Sequence, residues 1–322
     1  MAESDLEAAA RAIARAESLA LACHVSPDGD ALGSMLGFFH LVRGGSTPVV
    51  ASFPEPFEVA PHYRDLPGLE LLTPPTEFPA EPDVMITFDC GALGRLGDLQ
   101  HAAKSARELI VLDHHVSNDR YGSINVIDPD AAATAVVVRR LAERLNLPLN
   151  RDAAMCLYAA LVCDTGRFQY DTTTPKVFDF ASELSEFDLP ISTLSRHLFE
   201  EHRFTYLQLV ADVLAHAQLN VERGFVWAAV RHADLERHGV SIDEAEGLID
   251  IVRRTKEAEV SAVLKEEEGG RVRVSLRSLG AVDVRLVAEG EGGGGHRFAA
   301  GFTSMDSIET IVARIEAALP VV

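Results

Sequence analysis

Positive charge is scarce in this chain. Lys and Arg number 29 against 49 Asp and Glu in 322 residues, a formal net charge of −20. A sequence-independent binder of long nucleic acid needs a basic face to displace counterions, so this balance argues against that class. A small phosphorylated ligand stays open, because bound divalent cations reverse the local field. Long apolar runs are also missing; none approaches the roughly 20 residues that span a bilayer. The opening Met1-Ala2-Glu3-Ser4-Asp5-Leu6-Glu7 is acidic and lacks the cationic-then-apolar order of a signal peptide. The expectation is a cytoplasmic protein without a membrane partner. Cysteine is limited to Cys23, Cys90, Cys156 and Cys163, with no Cys-x-x-Cys spacing. A thiolate zinc site is therefore not indicated, and the thiols read as small buried hydrophobes in a reducing compartment.

What is present is a 47% hydrophobic, globular composition in a chain about twice a typical domain. The first half alternates strand and helix signals. Leu19 to Cys23, Pro48 to Phe53, Val84 to Phe88 and Leu109 to Leu112 read as strands, with a further short one near Leu69 to Leu72. Ala31 to Val42, Thr134 to Leu145 and Arg151 to Cys163 read as helices, and another starts near Leu93. This order predicts an α/β fold whose N-terminal sheet is mostly parallel, with helices on both faces. Thr172-Thr173-Thr174-Pro175 marks a boundary. Residues 1–175 are expected to form the catalytic domain, 176–217 a helical linker, and 218–322 a smaller α/β domain. In that last part, Val260 to Leu264 and Arg271 to Leu276 suit a hairpin, Ile242 to Arg253 a helix, and Ser307 to Leu319 a final helix.

The reactive side chains fall where apolar segments end. His24-x-x-x-Asp28-x-Asp30 follows Leu19 to Cys23, and Asp89 closes Val84 to Phe88. Asp113-His114-His115 closes Leu109 to Leu112, and Asp164 closes the apolar stretch from Ala153. In parallel sheets, ligands bind beyond the carboxyl ends of the strands. Each motif has a plainer reading: Asp28-Gly29-Asp30 as a turn, Asp89 as a helix cap, a lone histidine as core. Two His and four Asp from four segments together point to a site for two hard cations, magnesium or manganese rather than zinc. Asp89, between the outer motifs, is the natural bridge. Asp113 is expected to hold a histidine ring nitrogen, while one histidine ligates metal and the other meets substrate. Downstream, Gly292 to Gly295 followed by His296-Arg297 reads either as a flexible loop or as an anion-binding nest with two phosphate donors. Arg277-Ser278 offers a second phosphate contact, and Glu201 to Phe204 is either cleft lining or helix surface.

These motifs, in this order, resemble the DHH phosphoesterase superfamily and its NrnA-like branch of oligoribonucleases and phosphoadenosine-phosphate phosphatases. Arg277-Ser278, Val282-Asp283-Val284 and the run from Gly292 to Gly301 resemble the DHH-associated C-terminal domain. The resemblance implies two Mn2+ ions, with Mg2+ an option. One would sit on His24, Asp28 and Asp89, the other on Asp30, Asp89, His114 and Asp164. It implies catalytic roles for His115 and Asp113, and substrate contacts from Arg277, Ser278, Gly294, Gly295, His296 and Arg297 in a cleft between domains. Expected partners are short RNA oligonucleotides, linear or cyclic dinucleotides and 3′-phosphoadenosine 5′-phosphate, with no long duplex, and a homodimer. The alternatives are an inorganic pyrophosphatase, a longer-strand exonuclease, or a non-catalytic nucleotide sensor.

Overall fold

A computed structural model describes residues 3–320. The chain forms two compact units divided between Glu200 and Glu201. The first contains α1 (Glu3–Ala14), β1 (Leu19–Cys23), α2 (Gly29–Val42), β2 (Val49–Ser52), β3 (Val84–Phe88), α3 (Gln100–Ser105), β4 (Glu108–Asp113) and β5 (Ile124–Ile127). It ends with α4 (Thr134–Arg144), α5 (Arg151–Asp164), α6 (Pro175–Ser185) and α7 (Ile191–Phe199). The five strands run in the order β2-β1-β3-β4-β5, every neighbouring pair parallel. Both faces are covered, so side chains alternate between two cores: Leu19, Leu21 and Cys23 enter one, Ala20 and Ala22 the other.

The second unit contains α8 (Phe204–Ala215), β6 (Gln218–Asn220), β7 (Phe225–Val230), α9 (His232–His238), α10 (Ile249–Val252), β8 (Val260–Glu266) and β9 (Val272–Ser278). It closes with α11 (Val284–Gly290), β10 (Gly294–His296), β11 (Ala299–Ser304) and α12 (Ile308–Ala318). Its six-stranded sheet runs β10-β11-β9-β8-β7-β6, with only β7 and β8 parallel. The expected β8–β9 hairpin forms, turning through Gly269 and Gly270, both at positive φ.

Several elements differ from expectation. The strand expected at Leu69 to Leu72 is a 3-10 turn, Leu69–Leu71, entered through left-handed Gly68 and followed by Pro74. The helix near Leu93 is a 3-10 segment broken at Gly97. Ile242 to Arg253 supplies only a 3-10 turn, Glu246–Leu248, and the one-turn α10, because Gly247 interrupts the periodic face. The linker expected over 176–217 is not a separate segment. Val177, Phe180, Leu184, Leu194 and Leu198 bury α6 and α7 in the first core, whereas Tyr206, Leu209, Val210 and Val213 bury α8 in the second unit. Their amphipathic faces had cores to enter, and burial of that apolar area outweighs a free-standing helix. Among the described residues, no helix is long and apolar enough to cross a membrane.

Candidate metal centre

Helix packing brings the acidic segments together before any ligand chemistry enters. Gly29, Gly33 and Gly37 form a stripe on α2 facing α5. A Cβ on Gly29 would lie 2.3 Å from Cys163 Sγ, one on Gly33 2.5 Å from the Cys156 carbonyl, and one on Gly37 2.7 Å from Leu157 Cδ2. Only hydrogen fits there, so the two helices run antiparallel in close contact, and the start of α2 meets the end of α5. Asp28 caps α2 by accepting the Ala31 N–H at 3.0 Å, Asp30 lies in its first turn, and Asp164 ends α5. His24, Asp89 and Asp113-His114-His115 arrive from the carboxyl ends of adjacent strands β1, β3 and β4. Asp89 bends the chain with φ 53°, a left-handed conformation that Asp tolerates better than most residues.

The six residues expected to ligate metal gather in two lobes that share Asp89. In one, His24 Nε2 lies 3.9 Å from Asp28 Oδ2 and 3.8 Å from Asp89 Oδ2. In the other, His114 Nε2 lies 3.7 Å from Asp30 Oδ2, 3.6 Å from Asp89 Oδ1 and 3.3 Å from Asp164 Oδ2. Each ring is oriented from behind. His24 Nδ1 donates to the Val25 carbonyl at 2.8 Å and His114 Nδ1 to the Ala131 carbonyl at 3.0 Å. With the proton on Nδ1, each neutral ring keeps its Nε2 lone pair facing the carboxylates, the arrangement by which outer groups prepare a histidine for metal. His24 Nε2 is buried without a hydrogen-bond partner, which suits a ligand atom with a cation to meet. The donor set of imidazole nitrogen and carboxylate oxygen fits manganese or magnesium.

The carboxylates are held as firmly. Asp30 accepts Ser34 Oγ–H at 2.8 Å and the first N–H groups of α4, Thr134 at 2.6 Å and Ala135 at 3.2 Å. The N-terminus of α4 thus spends its unpaired donors and its dipole on this buried anion. Thr134 Oγ1 donates to Asp89 Oδ1 at 2.9 Å, so the helix-cap reading of Asp89 does not apply. Asp113 is buried and lies behind the two histidines: Oδ1 accepts from His115 Nδ1 at 2.7 Å and from the His114 N–H at 2.7 Å, while Oδ2 accepts from Asn118 Nδ2 at 2.5 Å. His115 also lies 3.5 Å from Asp89 Oδ1 and is the more exposed of the two histidines.

So many charges in one buried place shift their ionisation. Burial, with Asp89 and Asp164 adding to it, raises the Asp30 carboxyl well above its ordinary range. Burial likewise lifts Asp164 to about 6, with His114 opposing and Asp89 adding. Burial works against His114, yet Asp164, Asp89 and Asp30 raise it to about 10. His115 is raised by Asp113 against the same burial cost. His24 moves the other way, lowered by burial and by the Arg95 guanidinium, whose Nη2 sits 3.0 Å from His24 Nδ1. Divalent cations would replace the protons that the cluster otherwise retains.

The residues expected to bind substrate lie in the second unit. Arg277 and Ser278 end β9, and Arg277 Nε is buried without a hydrogen-bond partner. The Ser278 hydroxyl is buried and donates to Glu259 Oε1 at 2.9 Å. Gly294, Gly295 and His296 form β10, so the four-glycine run is neither a loose loop nor a nest. A Cβ on Gly293 would lie 2.2 Å from the Gly301 carbonyl and one on Gly295 2.6 Å from the Ala299 carbonyl, so glycine here permits close strand packing. The Gly292 and Gly293 N–H groups already serve the end of α11, donating to the Glu289 and Ala288 carbonyls at 3.1 and 2.8 Å. Arg297 is exposed, its guanidinium 5.1 Å above the Phe298 ring. Arg203 is committed to Glu244 Oε1 at 2.8 Å. Sequence reasoning missed Thr134, Ser34, Asn118 and Arg95; Ser34 lies one helical turn after Asp30, the signal that could have found it.

Residues 18–161 match the DHH family, N-terminal domain, and residues 224–320 match the DHHA1 domain. The "Bifunctional oligoribonuclease and PAP phosphatase NrnA" of Thermus thermophilus is 30% identical over 284 residues, covering 88% of this chain and 83% of that protein. The chain belongs to the DHH phosphoesterase family. The Bacillus subtilis protein of the same name is 28% identical over 313 residues, covering 95% of this chain and 96% of its relative. The fold also matches the crystal structure of an exopolyphosphatase-related protein from Bacteroides fragilis, with a TM-score of 0.89 at 24% identity over 98% of this chain and 96% of that one. This DHH protein is therefore a hydrolase of the phosphoesterase class. Its relatives by family are metal-dependent, and the two lobes supply the donors such chemistry needs.

Proposed function

We propose that the protein is a manganese-dependent phosphodiesterase. It hydrolyses short oligoribonucleotides and linear or cyclic dinucleotides to mononucleotides, and also removes phosphate from 3′-phosphoadenosine 5′-phosphate. The observation that carries this reading is Asp89, whose two oxygens face different histidines, Oδ2 toward His24 and Oδ1 toward His114. One carboxylate shared by two lobes is what a two-cation hydrolytic centre requires. The names of the Thermus and Bacillus relatives support the substrate class.

His24, Asp28 and Asp89 would hold one cation, and Asp30, Asp89, His114 and Asp164 the other. When bound, the cations supply a nucleophilic water near neutral pH and offset charge on the phosphoryl oxygens. The chain does the remainder. Asp113 accepts from Nδ1 of His115 and favours the protonated ring, whose Nε2–H then turns to the scissile phosphate and donates a hydrogen bond there. From the second unit, Arg277, Ser278, Gly294, Gly295, His296 and Arg297 form the region that holds the substrate's remaining phosphate or nucleotide, Arg277 and His296 as donors. The test is a hydrolysis panel with manganese comparing a dinucleotide, a five-nucleotide RNA, cyclic di-adenylate, phosphoadenosine phosphate and pyrophosphate. Mononucleotide release from the first two supports the reading, and exclusive turnover of pyrophosphate overturns it.

A further inference from the structure

One carboxylate oxygen in the second unit does more work than a surface glutamate needs. Glu259 Oε1 accepts from Ser278 Oγ at 2.9 Å and from three consecutive backbone N–H groups: Gly280 at 3.0 Å, Ala281 at 2.7 Å and Val282 at 3.2 Å. The Glu259 carbonyl accepts a further N–H, that of Leu279, at 3.0 Å. Converging backbone donors of this kind form a concavity that would otherwise attract an anion from solution. Gly280, at φ +137°, permits the turn that points them inward. Here the chain fills the concavity with its own carboxylate.

The location gives this arrangement a consequence. Glu259 immediately precedes β8, and the first residue of β8, Val260, pairs with Ser278 at the end of β9. The segment it grips continues into contact with the substrate-binding turn. Ser278 N–H donates to the Phe298 carbonyl at 3.0 Å and Val284 N–H to the Arg297 carbonyl at 2.9 Å. Arg277 itself lies opposite Ala299 in the β9–β11 ladder. The grip therefore sets the relation between Arg277 and the His296-Arg297 turn. We propose that Glu259 and Ser278 form a clasp that positions Arg277 and the His296 turn for the substrate's phosphate, and that neither clasp residue touches the substrate. The inference rests on the reading of Arg277 and His296 as substrate donors, and it moves Ser278 from ligand to positioning residue.

The full-length chain, loaded with manganese, is compared as wild type, Glu259→Ala, Glu259→Gln, Ser278→Ala and Arg277→Ala. Steady-state kinetics on a dinucleotide and hydrogen exchange over residues 278–284 are the two readouts. Glu259→Ala is expected to raise KM about tenfold with kcat changed less than twofold, and to speed exchange of the Gly280 to Val282 amides. Glu259→Gln keeps an acceptor oxygen and is expected to recover most of the KM; Ser278→Ala should fall between. Protected amides or an unchanged KM in Glu259→Ala overturn the clasp, as does an equal loss in kcat, which a general folding defect would produce. An unaffected Arg277→Ala, or a wild type inert on the dinucleotide, overturns the underlying substrate reading instead. In either case the exchange measurement still decides whether the clasp exists.

Discussion

The two lobes of the metal centre are built alike and charged differently. Both aim a histidine Nε2 at carboxylates, with Nδ1 tied to a main-chain carbonyl. Around His114 stand three carboxylates, of which Asp30 and Asp89 are buried, and the helix N-terminus of α4 supports Asp30. Around His24 stand Asp89 and Asp28, whose side chain is 58% exposed, with the Arg95 cation beside the ring. The histidines respond in opposite directions, His114 rising to about 10 and His24 falling below its ordinary value. The lobe with the greater negative charge should hold its cation tightly. The open, less negative lobe should exchange its cation more readily and face the substrate.

The largest effect should come from removing what the lobes share. Asp89→Ala is expected to lower manganese-dependent kcat at least about a thousandfold while leaving the fold intact by circular dichroism. Next is the close packing that brings the lobes together. Gly33→Val drives a side chain into the Cys156 carbonyl and should cost about 1–3 kcal/mol of stability or more, read as a lower denaturation midpoint. The two lobes should then separate by mutation. Asp28→Asn should weaken one manganese site about 10–100-fold and spare the other, whereas Asp30→Asn should remove the tight site; calorimetric titration distinguishes them. Asp30→Asn should also raise the melting temperature of the metal-free protein. The folded state lifts the Asp30 pKa, so ionisation there opposes folding above the unfolded pKa, and the neutral amide relieves it. The smallest effect concerns pH. Because His114 holds a proton up to about 10 without metal, cation binding would displace it, and apparent affinity should fall about tenfold per pH unit as pH drops below about 10 for each proton displaced.

Much of the site was readable because chemistry and element ends coincide in the chain. His24, Asp89 and Asp113-His114-His115 each close an apolar run, and a parallel sheet places such ends together. What could not be read depends on contacts between distant segments. Thr134 reaches Asp89 across 45 positions, and no local pattern marks it. Glu259 looks like one acidic residue among many until the backbone turn at Gly280 surrounds it. The glycine run before His296 was legible as special but not as strand, because its reason is the approach of β11. The strand β5 was missed for a simpler cause: four residues carry little periodicity.

The most direct test is mononucleotide release from a dinucleotide, with and without manganese, by the wild type and by Asp89→Ala. Release by the wild type only when manganese is present, and none from a folded Asp89→Ala, is the predicted result. Near-normal turnover by the variant would contradict the shared-carboxylate account.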